Sequence, residues 1–172
     1  MSKFMPVVAS LIAVSLPVVP VRAAVLGPHA EVCAAGRPAM LVRVQGLKTH
    51  GGVIRVQSYG GDPAGYFEKH AYLERVEARI PPSGTVEVCM PVPRSGTYAV
   101  SVRHDVSGKG GTDREDGGGM SGNPNLSLMD VVFKRRPSPA QVQIQVHDGV
   151  TPVPVVMNYV RGSGFGPIPS AR

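Results

Sequence analysis

The feature of this sequence that most restricts its fold is a two-residue rhythm of apolar and polar side chains, repeated in short stretches along the chain. Met40, Val42 and Val44 alternate with Leu41, Arg43 and Gln45, Ile54 and Val56 with Arg55 and Gln57, and Val76, Ala78 and Ile80 with Glu77 and Arg79. Farther on, Val86 and Val88 are offset from Glu87 and Cys89, Tyr98, Val100 and Val102 from Thr97, Ser101 and Arg103, and Val142, Ile144 and Val146 from Gln141, Gln143 and Gln145. Successive side chains of a strand point to opposite faces, so each stretch reads as a strand with one buried and one wet face. A final strand is expected over 153–160, where Pro152 and Pro154 indicate a sheet edge. The 21 glycines and 17 prolines interrupt the chain too often for long helices and mark turns at Gly51-Gly52, Pro81 to Gly84 and Arg94 to Gly96. About seven short strands at this spacing predict an all-β fold, an antiparallel sandwich of two sheets. One short helix is expected from Asp62, a capping residue followed by Pro63 at the first helical position, to about Tyr72.

The two ends read differently from this middle. Lys3 precedes a run from Phe4 to Val19 interrupted only by Ser10, Ser15, Pro6 and Pro17, and the run leads to Val21-Arg22-Ala23. That is the pattern of a secretion signal cut after Ala23, so residues 1–23 are expected to be removed and the mature chain to start at Ala24 in the periplasm or outside the cell. The competing reading, a retained membrane anchor, needs about 20 apolar residues, and this stretch is shorter and broken by prolines. No cysteine stands at the cut, which argues against lipid attachment. The mature chain then comprises an N-terminal segment over 24–38, the sandwich domain over 39–161, and a glycine- and proline-rich tail over 162–172 with little to bury, expected to be disordered. No other apolar run reaches spanning length.

Cys33 and Cys89 are the only cysteines. Export would place them where thiols oxidise, and a disulfide across their separation of 56 residues would stabilise the fold by roughly 4 kcal/mol in the loop-closure account. The other reading leaves two unpaired thiols, one near the mature N-terminus and one on a strand. Loss of Lys3 and Arg22 with the signal lowers the formal net charge from +6 to +4. The bases are scattered apart from Lys134-Arg135-Arg136, which reads as a solvated turn, so nucleic acid is not an expected partner. The mature protein is expected to be a monomer.

The stretch from Pro93 to Asp105 carries a more particular pattern: a glycine turn, the strand Thr97-Tyr98-Ala99-Val100, the pair His104-Asp105, and then a glycine-rich polar loop. Together with an opening strand ending in Gly46-Leu47 and a second strand from Gly52 to Tyr59, it resembles the exported bacterial proteins of domain-of-unknown-function family 2141 from about Ala39 to Val160. The resemblance implies an immunoglobulin-like or prealbumin-like sandwich outside the cytoplasm and supplies no reaction. In that family the loop after His-Asp is rich in Asn, Gly and Asp; here it runs Asp105-Val106-Ser107-Gly108-Lys109-Gly110-Gly111-Thr112-Asp113-Arg114-Glu115-Asp116.

That loop is the one stretch whose spacing suggests chemistry. Over a twelve-residue calcium loop, Asp105, Ser107, Asp113 and Asp116 fall on ligand positions and Gly110 on the sharp turn, whereas Lys109 occupies a ligand position and would repel the cation. The plain alternative is a glycine-rich connection between two strands. His104, beside Asp105, could serve as a ligand or a polarised base, or bond the loop backbone. No Gly-x-Ser-x-Gly turn, phosphate loop or helical histidine pair occurs. Tyr59, Tyr66, Phe67 and Tyr72 are close enough in sequence to share a patch, as core or as a stacking surface. Without a catalytic set, the expected function is a non-enzymatic binding or cell-envelope module with no cofactor, its partner an envelope protein or glycan. A calcium-stabilised module is the second reading.

Overall fold

A computed structural model describes residues 24–169, and the expected secretion signal lies outside the described residues. The elements run β1 (Val25–Leu26), α1 (Ala30–Ala34), β2 (Ala39–Gln45), β3 (Val53–Gly60), a 3-10 turn (Pro63–Gly65), β4 (Glu74–Arg79), β5 (Val86–Pro91), β6 (Gly96–Asp105) and β7 (Gly117–Met120). They continue as α2 (Leu128–Val132), α3 (Pro139–Val142), β8 (Ile144–Val146), β9 (Val150–Val156), β10 (Asn158–Arg161) and β11 (Gly164–Pro167). A four-stranded sheet has the order β1-β5-β2-β9, and a seven-stranded sheet the order β11-β10-β7-β6-β3-β4 with β8 also on β6. The expected two-sheet all-β sandwich is therefore what forms.

The period-two stripes become its interior. Met40, Val42 and Val44 of β2 and Val86, Val88 and Met90 of β5 face Ile54 and Val56 of β3, Val76 of β4, and Val100 and Val102 of β6, all buried in one cluster. Burying each such side chain fully is worth roughly 1.5–3 kcal/mol. The opposite residues of the large sheet, among them Arg55, Gln57, Ser101 and Arg103, form its outer face. On the outer face of the small sheet, Cys33 of α1 is bonded to Cys89 of β5 with their Cα atoms 6.0 Å apart. The disulfide reading, rather than the unpaired thiols, describes this chain.

Several expectations are corrected. The strands number eleven among the described residues, and two pairings are parallel, β1 with β5 and β2 with β9. A parallel partner cannot be reached by a hairpin, and β9 enters the small sheet from β8, on the other layer. The expected helix ends after Gly65: Asp62 caps it by accepting from the Ala64 N–H at 2.9 Å, but Phe67 and His70 take φ values of 62° and 66°, which no right-handed helix allows. Val142 closes helix α3, started by Ser138 and Pro139, so that only Ile144 to Val146 forms a strand there. The strand expected over 153–160 breaks at Met157, where the chain changes sheets and the side chain is fully buried. Within the tail expected to be disordered from Gly162, the described residues Gly164–Pro167 instead form β11, a hairpin partner of β10.

Two features of this topology position everything that follows. β6 pairs with β3 from Tyr98 to Asp105 on one side, while on the other side β7 pairs with Ser101–His104 and β8 with Gly96–Tyr98. Between those two footholds residues 121–143 leave the sheet and fold over its outer face. On the small sheet, β9 is an edge, as its prolines indicated. Val156 turns its N–H away from β2 to Asn123 Oδ1 at 2.7 Å, while the next residue, Met157, bonds Gln45. Backbone direction alternates along a strand, so Pro152 and Pro154 share the outward side with Val156.

Candidate functional site

The 106–116 loop joins β6 to β7 and folds inward on its own acids. The Asp105 carboxylate accepts from the N–H groups of Gly108 at 2.8 Å and Gly110 at 2.7 Å, and from the Ser107 hydroxyl at 3.3 Å. Asp116 accepts from the N–H of Val106 and of Asp113 and from the Arg103 guanidinium at 2.8 Å. Asp113 accepts from the Glu115 N–H. Burial raises the Asp105 carboxyl's pKa, but the Gly110 and Gly108 N–H groups, the Ser107 hydroxyl and Arg103 together outweigh it and hold it below the ordinary 3.8. The four residues predicted as calcium ligands thus separate into two hydrogen-bonded knots, Asp105 with Ser107 and Asp113 with Asp116. Their anionic oxygens meet N–H donors, whereas a calcium ion requires 6–8 converging oxygens. Among the described residues no three or more His, Cys, Asp or Glu side chains gather as a metal site, and the geometry offers the calcium reading no support.

His104 is sealed in the sandwich. Its Nε2 lies 3.0 Å from the Gly51 carbonyl and its Nδ1 2.7 Å from the Tyr159 hydroxyl, and no part of it is exposed. A carbonyl only accepts, so Nε2 carries the proton; Nδ1 then accepts from Tyr159, whose oxygen in turn accepts from the Lys48 N–H at 3.1 Å. Burial pushes the imidazole below its ordinary pKa of 6.5, partly offset by the Gly51 carbonyl. Neutral, fully bonded and out of reach of solvent, this ring ties the β2–β3 connection to both β6 and β10.

A partly enclosed concavity with apolar walls lies elsewhere, on the outer face of the large sheet beneath residues 121–136. It encloses about 520 Å³. Its floor is Gln57 of β3, Ser101 and Arg103 of β6, Gly118 of β7 and Asn158 of β10; Met120, Leu126, Val131 and Phe165 form its apolar walls; Lys69, Lys134, Arg135 and Arg136 stand at its margin with Glu68 and Asp130. Gly118 opens the floor, because nothing lies within 4 Å of where its Cβ would be. The overhanging segment is fixed at its root. Ser121 Oγ accepts from the Val100 N–H at 2.9 Å and donates to the Val142 carbonyl, and Asn123 bonds both Pro154 and Val156 of β9. Farther out, Ser127 and Asp130 cap α2 reciprocally, and Arg136 is paired with Glu68.

Of the predicted aromatic patch, Tyr59 and Tyr66 are buried with Ala99 and Val142 in a second small core beside the groove, with Phe67 and Tyr72 packed on it. Phe67 also reaches the groove wall. The groove residues themselves were missed by sequence reasoning. They come from five strands and two segments outside them, 67–69 and 123–136, and the only local signals are the run Gly117-Gly118-Gly119 and the basic triplet.

A family described as "Uncharacterized protein conserved in bacteria (DUF2141)" matches residues 42–154, more than half of the sequence. Neither the curated proteins nor the solved structures contain a match.

Proposed function

Because the chain belongs to DUF2141, a family of uncharacterised bacterial proteins, we propose its role from its own geometry: an exported, non-enzymatic binding module of the cell envelope whose groove over the large sheet holds the ligand. The observation that carries this reading is the partly enclosed, apolar-walled lining of the groove, Met120, Leu126, Val131 and Phe165 around about 520 Å³, a volume within the roughly 300–1,000 Å³ range of small-molecule sites. Its mixture of apolar walls with a few polar floor groups suits a ligand held by shape and oriented by Gln57, Ser101 and Asn158. The non-enzymatic part is supported by the state of His104, which is neutral, bonded at both ring nitrogens and walled off from solvent. The export part rests on the leader pattern and on the Cys33–Cys89 bond, which suits an oxidising compartment.

The test uses anilinonaphthalene sulfonate, an apolar anionic dye, as a groove probe with Gly118→Leu as the blocking variant. The leucine would stand in the empty floor without touching the core. Saturable dye fluorescence lost in this variant, with unfolding unchanged, is the expected result. Dye binding equal in both proteins would overturn the groove as the site. Turnover of an ester, peptide or glycan that disappears on changing His104 or Asp105 would overturn the non-enzymatic reading.

A further inference from the structure

The overhang has a second side. Among the described residues five large apolar side chains are well exposed, and four of them, Met129, Val131, Val132 and Phe133, lie in or directly after α2. Val131 leans to the groove; Met129, Val132 and Phe133 are 54%, 61% and 59% exposed. They are not a loose tip. The Ser127–Asp130 capping pair begins α2, the Phe133 N–H bonds the Met129 carbonyl, and the Arg135 N–H bonds the Asp130 carbonyl. Soluble proteins seldom hold a cluster of apolar groups in water unless something covers it. Immediately after it the chain turns at Lys134, at φ 52°, and presents Lys134, Arg135 and Arg136. The two nearby acids are engaged: Asp130 with Ser127 and, at 3.8 Å, with Arg135, and Glu68 with Arg136. Arg135 remains 67% exposed despite its contact.

We propose that Met129, Val132 and Phe133, with Lys134 and Arg135 beside them, form a docking surface for an anionic lipid bilayer. Apolar tips flanked by bases are what binding at a bilayer interface requires: the tips enter the headgroup boundary and the cations remain among the phosphates. Three side chains on one helical turn are too few to cover the roughly 800 Å² per partner of a stable protein interface, and the adjoining positive charge complements phosphate. Met129, Val132 and Phe133 do not line the groove, whereas Lys134 and Arg135 stand between the groove margin and this ridge.

The experiment is co-sedimentation of the full chain with vesicles of phosphatidylglycerol mixed into phosphatidylcholine, against vesicles of phosphatidylcholine alone. The expected result is binding to the anionic vesicles that falls about tenfold or more in M129S/V132S/F133S, falls comparably in K134Q/R135Q, and weakens with added salt. Gly118→Leu should bind the vesicles as the parent does, which separates this surface from the groove. Met129, Val132, Phe133, Lys134 and Arg135 are exposed, so both ridge variants should unfold at the parent's midpoint, and a thermal scan checks it. Equal partition onto both vesicle types, or vesicle binding that neither variant lowers, overturns the proposal. So does concentration-dependent dimerisation abolished by M129S/V132S/F133S, which would assign the ridge to a second copy of the chain.

Discussion

Gly117, Gly118 and Gly119 lack side chains for opposite reasons. A Cβ on Gly117 would lie 2.3 Å from the Tyr159 ring, and one on Gly119 would lie 2.7 Å from a Val155 methyl and 2.8 Å from the Val156 carbonyl, whereas one on Gly118 meets nothing. Gly117→Ala and Gly119→Ala should each cost about 1–3 kcal/mol as overpacked sites, and Gly118→Ala should stay within about 0.5 kcal/mol; denaturant unfolding checks all three. His104 predicts a pH dependence. Its folded pKa lies below the unfolded 6.5, so between those two values the unfolded chain binds the extra proton. Its contribution is therefore complete above pH 6.5 and is lost as pH falls toward the folded value, and thermal midpoints should fall over that window in the parent and less steeply in His104→Gln. Tyr159→Phe would leave Nδ1 of His104 and the Lys48 N–H without their shared partner, at a cost of about 1–3 kcal/mol. The sequence singled out His104 from its place in a motif, but not its role, because Tyr159 is 55 residues away and nothing local announces the pair.

The strands that bury one face, β2 to β6, were legible because each carries a stripe that only a pleated layer can hide. Those missed are of another kind. β7 is glycine with one methionine, and β11 alternates glycine with other residues, so neither has a stripe; α1 and α2 are single turns, the first tied down by the Cys33 bond and the second by the Ser127–Asp130 cap, rather than set by periodicity. The 106–116 loop shows how spacing alone misleads: acids at ligand intervals are also acids at the intervals of a self-bonded turn, and only the direction of the N–H groups decides. Millimolar calcium should therefore leave the thermal midpoint where chelator leaves it; a rise would mean that the folded state binds the ion. The disulfide links an element that sequence missed, α1, to one that it found, β5. Cys89→Ser should destabilise the protein by up to roughly 4 kcal/mol, read as a lower denaturant midpoint than that of the oxidised parent.

At the scale of the molecule, the two-layer architecture was readable and the path through it only in part, since the parallel pairings depend on where distant segments cross between layers. The prolines of β9 were informative here, and their placement reaches beyond the single chain. With Pro152, Pro154 and the engaged Val156 on its outward side, β9 offers an incoming strand no N–H from Pro152 to Val156 along that edge. The opposite border of the small sheet is β1, two residues long. Pro152→Val with Pro154→Val should restore two donors and make the protein associate as its concentration rises, visible by light scattering. One border of this layer is stripped of donors from Pro152 to Val156 and the other is only two residues long, so neither is a ready template on which strands of neighbouring molecules could add.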